Sequence, residues 1–224
     1  MPWTPTPAAS TLTTLQQVVA KYVLSPDDTE AQSLATEGLN EGVRRLNSRT
    51  WNWMLASEDV TLSASTADYV LSSNAAKKIR SVELLDSAGK VRSMIPYMDG
   101  KTFQTRYPDR SADGEPQFYT AFNLIANGTV TLSSPASAGF IGTYPHMRVW
   151  SFRRVSAYSA TSDTLTTLGH APSEVERFVV WTACAYVSAR YLQGGDPKLA
   201  LAIRMADDAW TQLLADDKVD ADWD

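Results

Sequence analysis

Residues 178–197 read FVVWTACAYVSARYLQGGDP, and this stretch carries the strongest fold signal in the chain. From Phe178 to Leu192, apolar residues surround most of the helix circumference, which is typical of a helix buried on more than one side. Gly194-Gly195 permits the left-handed cap that ends a helix, and Asp196-Pro197 supplies the cap and the first residue of another. The sequence therefore predicts a helix over 172–193 followed directly by a second helix.

A matching helical hairpin is predicted at the other end of the chain. Apolar residues recur at helical spacing over Leu12–Val23 and again over Leu34–Leu46. The connection Ser25-Pro26-Asp27-Asp28 is so short that these two helices must be neighbours. The last helix of the chain has an apolar stripe of its own, formed by Leu199, Ile203, Ala206, Trp210 and Leu213. Because neither hairpin buries its apolar faces alone, we expect the two to pack as one four-helix bundle.

Between the hairpins the apolar residues change to the spacing of strands. Strands are predicted around Val60 and Tyr69 and over 79–85, 91–98, 118–125, 129–132 and 147–155. Asn127-Gly128 separates two of them and favours a type I′ hairpin turn. The expected fold class is α+β, with a four-helix bundle built from the N- and C-terminal hairpins and an inserted antiparallel β domain. The predicted limits are 1–57 with 169–215 for the bundle, 58–168 for the β domain and 216–224 for a C-terminal arm.

Composition excludes several classes of function. The net charge of −5 argues against a protein that grips duplex DNA by neutralising its phosphates, although DNA can still pass nearby. Cys184 is the single cysteine, so no intramolecular disulfide can form and an intracellular place of folding is expected. The longest apolar run is well short of the roughly 20 residues that span a bilayer, so no membrane partner is expected.

No catalytic, cofactor-binding or metal site is predicted. His146 and His170 have no partner residues at a recognised spacing. Cys184 lies on the most apolar helix, where a cysteine is usually a small buried hydrophobe. Adjacent carboxylates such as Asp207-Asp208 are more typical of solvated helix faces than of the paired acids of a glycosidase.

The order of motifs along the chain resembles the tailed-bacteriophage head-to-tail connector proteins, also called adaptors. The resemblance rests on the two helical pairs and on short strand and turn sequences. These sequences are Trp51-Asn52-Trp53-Met54-Leu55, Tyr69-Val70-Leu71, Lys78-Ile79-Arg80-Ser81-Val82-Glu83-Leu84, Tyr107-Pro108-Asp109, Gly114-Glu115-Pro116-Gln117-Phe118-Tyr119 and Val130-Thr131-Leu132-Ser133-Ser134-Pro135. The resemblance covers nearly the whole chain.

This resemblance implies a non-enzymatic structural protein of the virion neck, assembled in the host cytoplasm. Its copies would form an oligomeric ring, typically a dodecamer, between the portal protein and a tail or nozzle protein. DNA would pass through the lumen of that ring during genome ejection, without specific binding. An acidic lumen suits this role because it lets DNA slide rather than adhere.

Two groups of residues acquire expected roles from the same resemblance. A portal-docking arm is expected at the C-terminus, formed by Asp216, Asp217, Val219, Asp220, Asp222, Trp223 and Asp224. Subunit packing is expected to cover the excess apolar surface of the helix at 172–193 through Phe178, Trp181, Tyr186 and Tyr191.

A carbohydrate- or receptor-binding module of a phage particle is the alternative function. Trp51 and Trp53 alternate after the second helix and could form a stacking platform for sugar rings. The more common role of such a pair is to fill the joint between the helices and the sheet, and we favour that interpretation. Burial of both side chains would remove the main support for the platform.

Overall fold

The computed structural model describes residues 10–23, 28–71, 76–122, 124, 128–160, 163, 174–192 and 196–221. Of residues 218–221 it describes the backbone only. The fold is α+β, with six α-helices and antiparallel sheets in these residues. The helices are α1 (Leu12–Val23), α2 (Thr29–Ser48), α3 (Gly100–Arg106), α4 (Ala138–Thr143), α5 (Glu174–Tyr191) and α6 (Pro197–Ala221). The strands are β1 (Leu55–Thr61), β2 (Asp68–Val70), β3 (Ala76–Leu85), β4 (Val91–Ile95), β5 (Tyr119–Phe122), β6 (Thr129–Leu132) and β7 (His146–Arg153).

The chain divides into two compact units, which we call the helical unit and the β unit. The helical unit comprises Met1–Met54 and Val155–Asp224, and the β unit comprises Leu55–Arg154. The sequence placed the end of the β region at 168, whereas the chain joins the helical unit at 155. The reason is that Val155 and Tyr158 are buried in the core of the helices.

In the helical unit, α1, α2, α5 and α6 share one apolar core. Its fully buried side chains include Leu15, Leu39, Leu46, Val179 and Leu213. Asp28 caps α2 by accepting a hydrogen bond from the N–H of Ala31 at 2.8 Å. The predicted glycine stop at Gly194-Gly195 and the first three residues of the Ser25–Asp28 connection lie outside the described residues.

Helices α2 and α5 approach each other closely because α2 has glycines where they meet. A Cβ built on Gly38 would lie 2.9 Å from Cα of Ala183, and one on Gly42 would lie 3.0 Å from Cα of Val179. The residue numbers rise along α2 as they fall along α5, so the two helices run antiparallel. Because glycine has no side chain, the backbones of the two helices can contact each other at these positions.

The β unit contains two antiparallel sheets around its own core. The larger sheet has the strand order β1-β7-β3-β4 and the smaller one has the order β2-β6-β5. Side chains from both sheets fill the core, among them Val82, Tyr119, Leu132, Met147 and Val149. The short helices α3 and α4, capped by Asp99 and Ser137, were not predicted from the sequence.

The predicted pairing of β5 with β6 is confirmed, but the tight Asn127-Gly128 turn is wrong. The last pair of the ladder is Phe122 with Thr129, so six residues connect the strands rather than two. Gly128 uses its carbonyl to accept a hydrogen bond from the N–H of Leu71 at 2.8 Å, and its φ is not positive. Gly128 therefore lies beside β2 instead of in a reversal, while Asn127 lies outside the described residues.

Candidate functional site

The helical unit carries an apolar groove of about 400 Å³ between α2, α5 and α6. Small residues on α5 and larger aliphatic residues on α6 form most of its walls. The lining side chains are Glu41 and Arg45 from α2, Thr182, Ala185, Tyr186 and Ala189 from α5, and Leu199, Ile203, Ala206 and Asp207 from α6. Grooves of this kind, apolar in the centre with charges at the edge, are typical of surfaces that receive another protein.

The small side chains of α5 create the groove. Ala185 and Ala189 are one helical turn apart and leave space above the helix where larger residues would fill it. Thr182 lies a turn earlier and is buried, and its hydroxyl has no hydrogen-bond partner within the described part of the chain. A partner in the groove can supply apolar contacts to the two alanines.

Charges on α2 and α5 are already paired with one another. Glu37 accepts a hydrogen bond from the hydroxyl of Tyr186 at 3.0 Å, and that bond is the main reason that the pKa of Tyr186 is raised. Glu41 is held by Arg44 at 2.6 Å and by Arg45 at 3.2 Å. These bonds, with Arg44 the larger cause, lower the pKa of the Glu41 carboxyl. This edge of the groove is therefore close to electrically balanced.

The edge of the groove formed by α6 differs from the α2 edge, because its charged group has no ion-pair partner among the described residues. The carboxylate of Asp207 forms no ion pair within the described residues, and the residue is exposed. Ile203, one turn before it, has 48% of its surface exposed. The sequence placed Ile203 in the buried stripe of its helix, and this is wrong because α6 turns that position toward the groove. Ile203 therefore adds apolar surface to the exposed edge of the groove, beside the carboxylate of Asp207.

Of the four residues expected at a subunit contact, the structure brings one to the groove. Tyr186 lines it. Phe178 is instead buried in the core of its own unit, with its ring 5.0 Å from that of Trp210, so it is not available to a neighbour. Trp181 is half-buried with its ring edge-on to Tyr22 at 5.4 Å, and Tyr191 is half-buried at the end of α5.

The expected C-terminal arm begins as a continuation of α6 rather than as a separate segment. Asp216 lies within α6 and accepts a hydrogen bond from the side-chain amide of Gln212 at 3.0 Å. Asp217 is only 5% exposed, and its carboxylate accepts a hydrogen bond from the N–H of Asn52 at 2.6 Å. Val219 and Asp220 lie within the helix, whereas Asp222, Trp223 and Asp224 lie outside the described residues.

The tryptophan platform for sugars is not present. Trp51 is fully buried and Trp53 is 5% exposed. The indole N–H of Trp51 donates to the carbonyl oxygen of Leu46 at 2.8 Å, and its ring packs edge-on against Trp210 at 5.1 Å. Both residues belong to the core of the helical unit, so neither can stack on a sugar.

Reactive side chains do not form a catalytic cluster in the part of the chain that the structure describes. His146 contacts the hydroxyl of Thr61 at 3.3 Å on an exposed surface, and His170 lies outside the described residues. Cys184 is buried, which raises the pKa of its thiol to about 12. Within those residues no group of three or more His, Cys, Asp or Glu could hold a metal ion, and no helix is long and apolar enough to cross a membrane.

Sequence reasoning missed Leu201, Asp207 and the glycines of α2. Leu201 stands outside the apolar stripe of its helix, and an off-stripe leucine is a signal that could have marked a second apolar surface. Gly38 and Gly42 are four residues apart, a spacing that places both on one helix face and permits close packing.

Comparison with known proteins gives one family. The sequence model of the family described as SU10 adaptor protein matches residues 10–223, which is nearly the whole chain. No curated protein matches the chain. The match spans both units described above, so it concerns the complete arrangement and not one isolated motif.

Proposed function

Since this chain belongs to the SU10 adaptor protein family, a family of phage head-to-tail adaptors, we propose that it is a structural component of the virion neck. In this proposal its copies form a ring, with twelve as the expected number, between the portal protein and a tail or nozzle protein. The single observation that carries the proposal is the family match across residues 10–223.

The helical unit supports a role in assembly. Its four long helices act in this proposal as a bundle that packs side by side with its neighbours. The groove between α2, α5 and α6 exposes apolar surface that a neighbour would cover, with Tyr186 at its wall. An isolated soluble domain gains nothing from leaving such surface open, whereas a subunit of a ring needs it.

Passage of DNA is the second part of the proposal. The net charge of −5 disfavours tight binding to phosphates, because a protein that grips DNA presents an excess of Lys and Arg. A ring of such subunits provides a channel in which DNA is repelled weakly and moves freely. Recognition of sequence has no part in this function.

Attachment to the portal is assigned to the end of the chain, over a shorter segment than the family resemblance implied. Asp217 fastens α6 to Asn52 and is thereby occupied within its own unit. The docking arm in this proposal therefore starts after Asp217 and includes Val219, Asp220, Asp222, Trp223 and Asp224. Trp223 would serve as its aromatic anchor.

Imaging of intact particles tests the proposal. Purified particles are examined by mass spectrometry for this protein and by electron microscopy at the portal vertex. We expect the protein to be present and a ring of density between portal and tail that fits two units with the folds described here. Absence of the protein from the neck would contradict the proposal.

A further inference from the structure

Two basic sequences that are far apart in the chain lie side by side at one end of the larger sheet of the β unit. One is on β3 and the other is where β7 ends, and Ala76 of β3 pairs with Arg153 of β7. Burial, and after it the positive charge of Arg154, lowers the pKa of the Lys77 amine, so cations of the two sequences are close neighbours. We call the following residues the basic patch: Lys77, Lys78, Arg80, Arg153 and Arg154.

The basic patch has little compensating negative charge. Neither Arg153 nor Arg154 forms an ion pair among the described residues, and the Nε atom of each is buried without a hydrogen-bond partner there. Lys78 is exposed and likewise has no ion pair within the described part of the chain. The stretches of β1, β3 and β7 that pair at this end of the sheet contain no Asp or Glu, and these are 55–57, 76–82 and 149–153.

The charge of the chain is divided unevenly between its two units. The β unit contains 11 Lys and Arg against nine Asp and Glu, a net charge of +2, whereas the helical unit contains nine against 16, a net charge of −7. The acidic balance of the whole chain is therefore a property of the helical unit. Five of the 11 cations of the β unit belong to the basic patch. Such a local excess of cations in an otherwise acidic protein indicates a site for an anion.

We propose that the basic patch contacts the phosphate backbone of duplex DNA. A strand rises about 3.3 Å per residue, so the stretch from Lys77 to Arg80 extends over about 10 Å, a length in which one DNA strand carries about three phosphates. The half-buried Arg153 and Arg154 suit this ligand, because a guanidinium can donate two parallel hydrogen bonds to the oxygens of one phosphate. Contacts to phosphate carry no sequence information, so the DNA is held whatever its sequence.

The inference deepens the proposed function and rests on it for the source of the DNA, which is the genome that passes through the ring. In each copy the helical unit repels DNA while the basic patch attracts it, and contacts made only to phosphate let DNA slide. An acidic surface of a partner protein is a different ligand for the same cations. DNA is favoured because it presents an unbroken row of negative charge, which matches paired stretches that no carboxylate interrupts.

Fluorescence anisotropy of a labelled duplex of about 20 base pairs, titrated with the full-length protein, tests the inference. The patch variant is Lys78→Gln/Arg154→Gln. The matched control is Lys90→Gln/Lys101→Gln, which removes the same two charges from exposed positions of the same unit outside the patch. At about 50 mM salt we expect the patch variant to bind roughly tenfold more weakly than wild type and the control to change by less than about twofold. The slope of log affinity against log salt should fall by about 1–2 in the patch variant.

A second variant and a competitor make the test decisive. Lys78→Gln alone changes an exposed residue and should still weaken binding roughly threefold, and circular dichroism verifies that each variant is folded. Polyglutamate at the same concentration of charges should leave the DNA bound. Equal affinity of the patch and control variants, or no binding by wild type at about 50 mM salt, overturns the inference. Displacement of the DNA by polyglutamate also overturns it, and assigns the patch to an acidic protein surface.

The two proposals fail in different ways. If the patch and control variants bind DNA equally while particles still carry this protein at the neck, the assigned contact is wrong and the adaptor function stands. If the protein is absent from the neck, the adaptor function is wrong whatever the anisotropy shows.

Discussion

Asn47 and Val155 are joined by two hydrogen bonds, in which the side-chain amide of Asn47 pairs with both backbone polar groups of Val155. The amide of Asn47 donates to the carbonyl oxygen of Val155 at 2.8 Å and accepts from its N–H at 2.9 Å. Asn40, two helical turns earlier on α2, makes the same pair of bonds to Tyr158 at 3.1 and 2.7 Å. These four bonds fasten the chain along α2 where it leaves the β unit.

Replacing Asn47 by alanine should therefore destabilise the helical unit. Asn47→Ala leaves the N–H and carbonyl of the buried Val155 without these partners, which costs about 1–3 kcal/mol. The measurement is the free energy of unfolding in urea, followed by circular dichroism. Gln17→Ala, which removes an exposed amide from α1, is the matched control and should change the free energy by less than about 0.5 kcal/mol. Equal effects of the two substitutions would contradict the role assigned to Asn47.

The contact of α2 with α5 predicts that an added methyl group is harmful at Gly38. Gly38→Ala places a Cβ 2.9 Å from the Cα of Ala183, a backbone atom that cannot move aside alone. We expect a loss of about 1–3 kcal/mol from overpacking, larger than the gain of up to about 1 kcal/mol from helix propensity.

Gly139→Ala makes the same chemical change on α4, where nothing lies within 4 Å of the added Cβ. It should be neutral or stabilising. The two substitutions thus have different expected effects on stability, and thermal unfolding of both variants measures the change in melting temperature. A stabilised Gly38→Ala variant would show that the helices are further apart than described.

The parts of the fold that the sequence predicted are those that depend on local periodicity. The apolar repeats of α1, α2, α5 and α6 identify four helices because each repeat lies within one element. The asparagine bonds were not predictable in this way, since Asn47 and Val155 are 108 residues apart. Likewise, 216–221 has no apolar repeat, and its helix is held by Asp217 through a bond to Asn52, 165 residues away. Long-range bonds of this kind leave no mark on the local pattern.

The groove itself was not predicted from the sequence, which indicated only that the helix at 172–193 has excess apolar surface. Tyr186 was expected at a subunit contact because its helix has more apolar surface than one core can cover, and it lines the groove. Phe178 shares that apolar character but points into the core. Composition around a helix does not distinguish these two directions, since the side toward the partner and the side toward the core are equally apolar.

Burial of Cys184 predicts that the thiol reports on opening of the helical unit. Its pKa is raised to about 12 by desolvation, so at about pH 8 the native thiol stays protonated and unreactive, while an exposed thiol of pKa about 8.5 is partly ionised. Labelling of the native protein by a thiol reagent should be slow and should accelerate in urea as unfolding proceeds. Rapid labelling without denaturant would contradict the burial.

The same shift gives stability a dependence on alkaline pH. A raised folded-state pKa means that the stabilisation is complete below the unfolded pKa and is lost as the pH rises from about 9 toward 12. Cys184→Ala should reduce the slope of this decline without removing it, because buried Tyr119, with its pKa also raised to about 12, contributes as well. Unfolding free energies measured across this range give the two slopes, and identical slopes would contradict the prediction.

The pairing of Asp59 with Arg148 predicts a small loss of stability at acidic pH. They face each other on β1 and β7 and form two hydrogen bonds of 2.7 and 2.9 Å, which lower the pKa of the Asp59 carboxyl. Because the pKa of Asp59 is lower in the folded state, the pair stabilises the fold at pH values above the unfolded-state pKa of about 4. This stabilisation is lost as the pH falls through the folded-state pKa.

Because both side chains are partly exposed, the expected loss is below about 1 kcal/mol. Asp59→Asn should remove it, so that the difference between wild type and variant is full at about pH 7 and shrinks as the pH falls below about 4. Glu115→Gln, an exposed carboxyl with no pair in the described residues, should show no such convergence.

The position of Asp217 predicts that two C-terminal truncations behave differently. Removal of 222–224 leaves all of its bonds intact, so the free energy of unfolding should not change. Removal of 216–224 deletes the carboxylate that accepts from the N–H of Asn52 and lies 3.4 Å from the guanidinium of Arg49, and it should cost about 1–3 kcal/mol. Asp217→Ala should reproduce most of that loss, whereas Asp216→Ala, which removes an exposed bond to Gln212, should not. If the shorter truncation keeps full stability and yet weakens binding to the portal protein in a pull-down, docking belongs to the last three residues, and unchanged binding would assign portal attachment elsewhere.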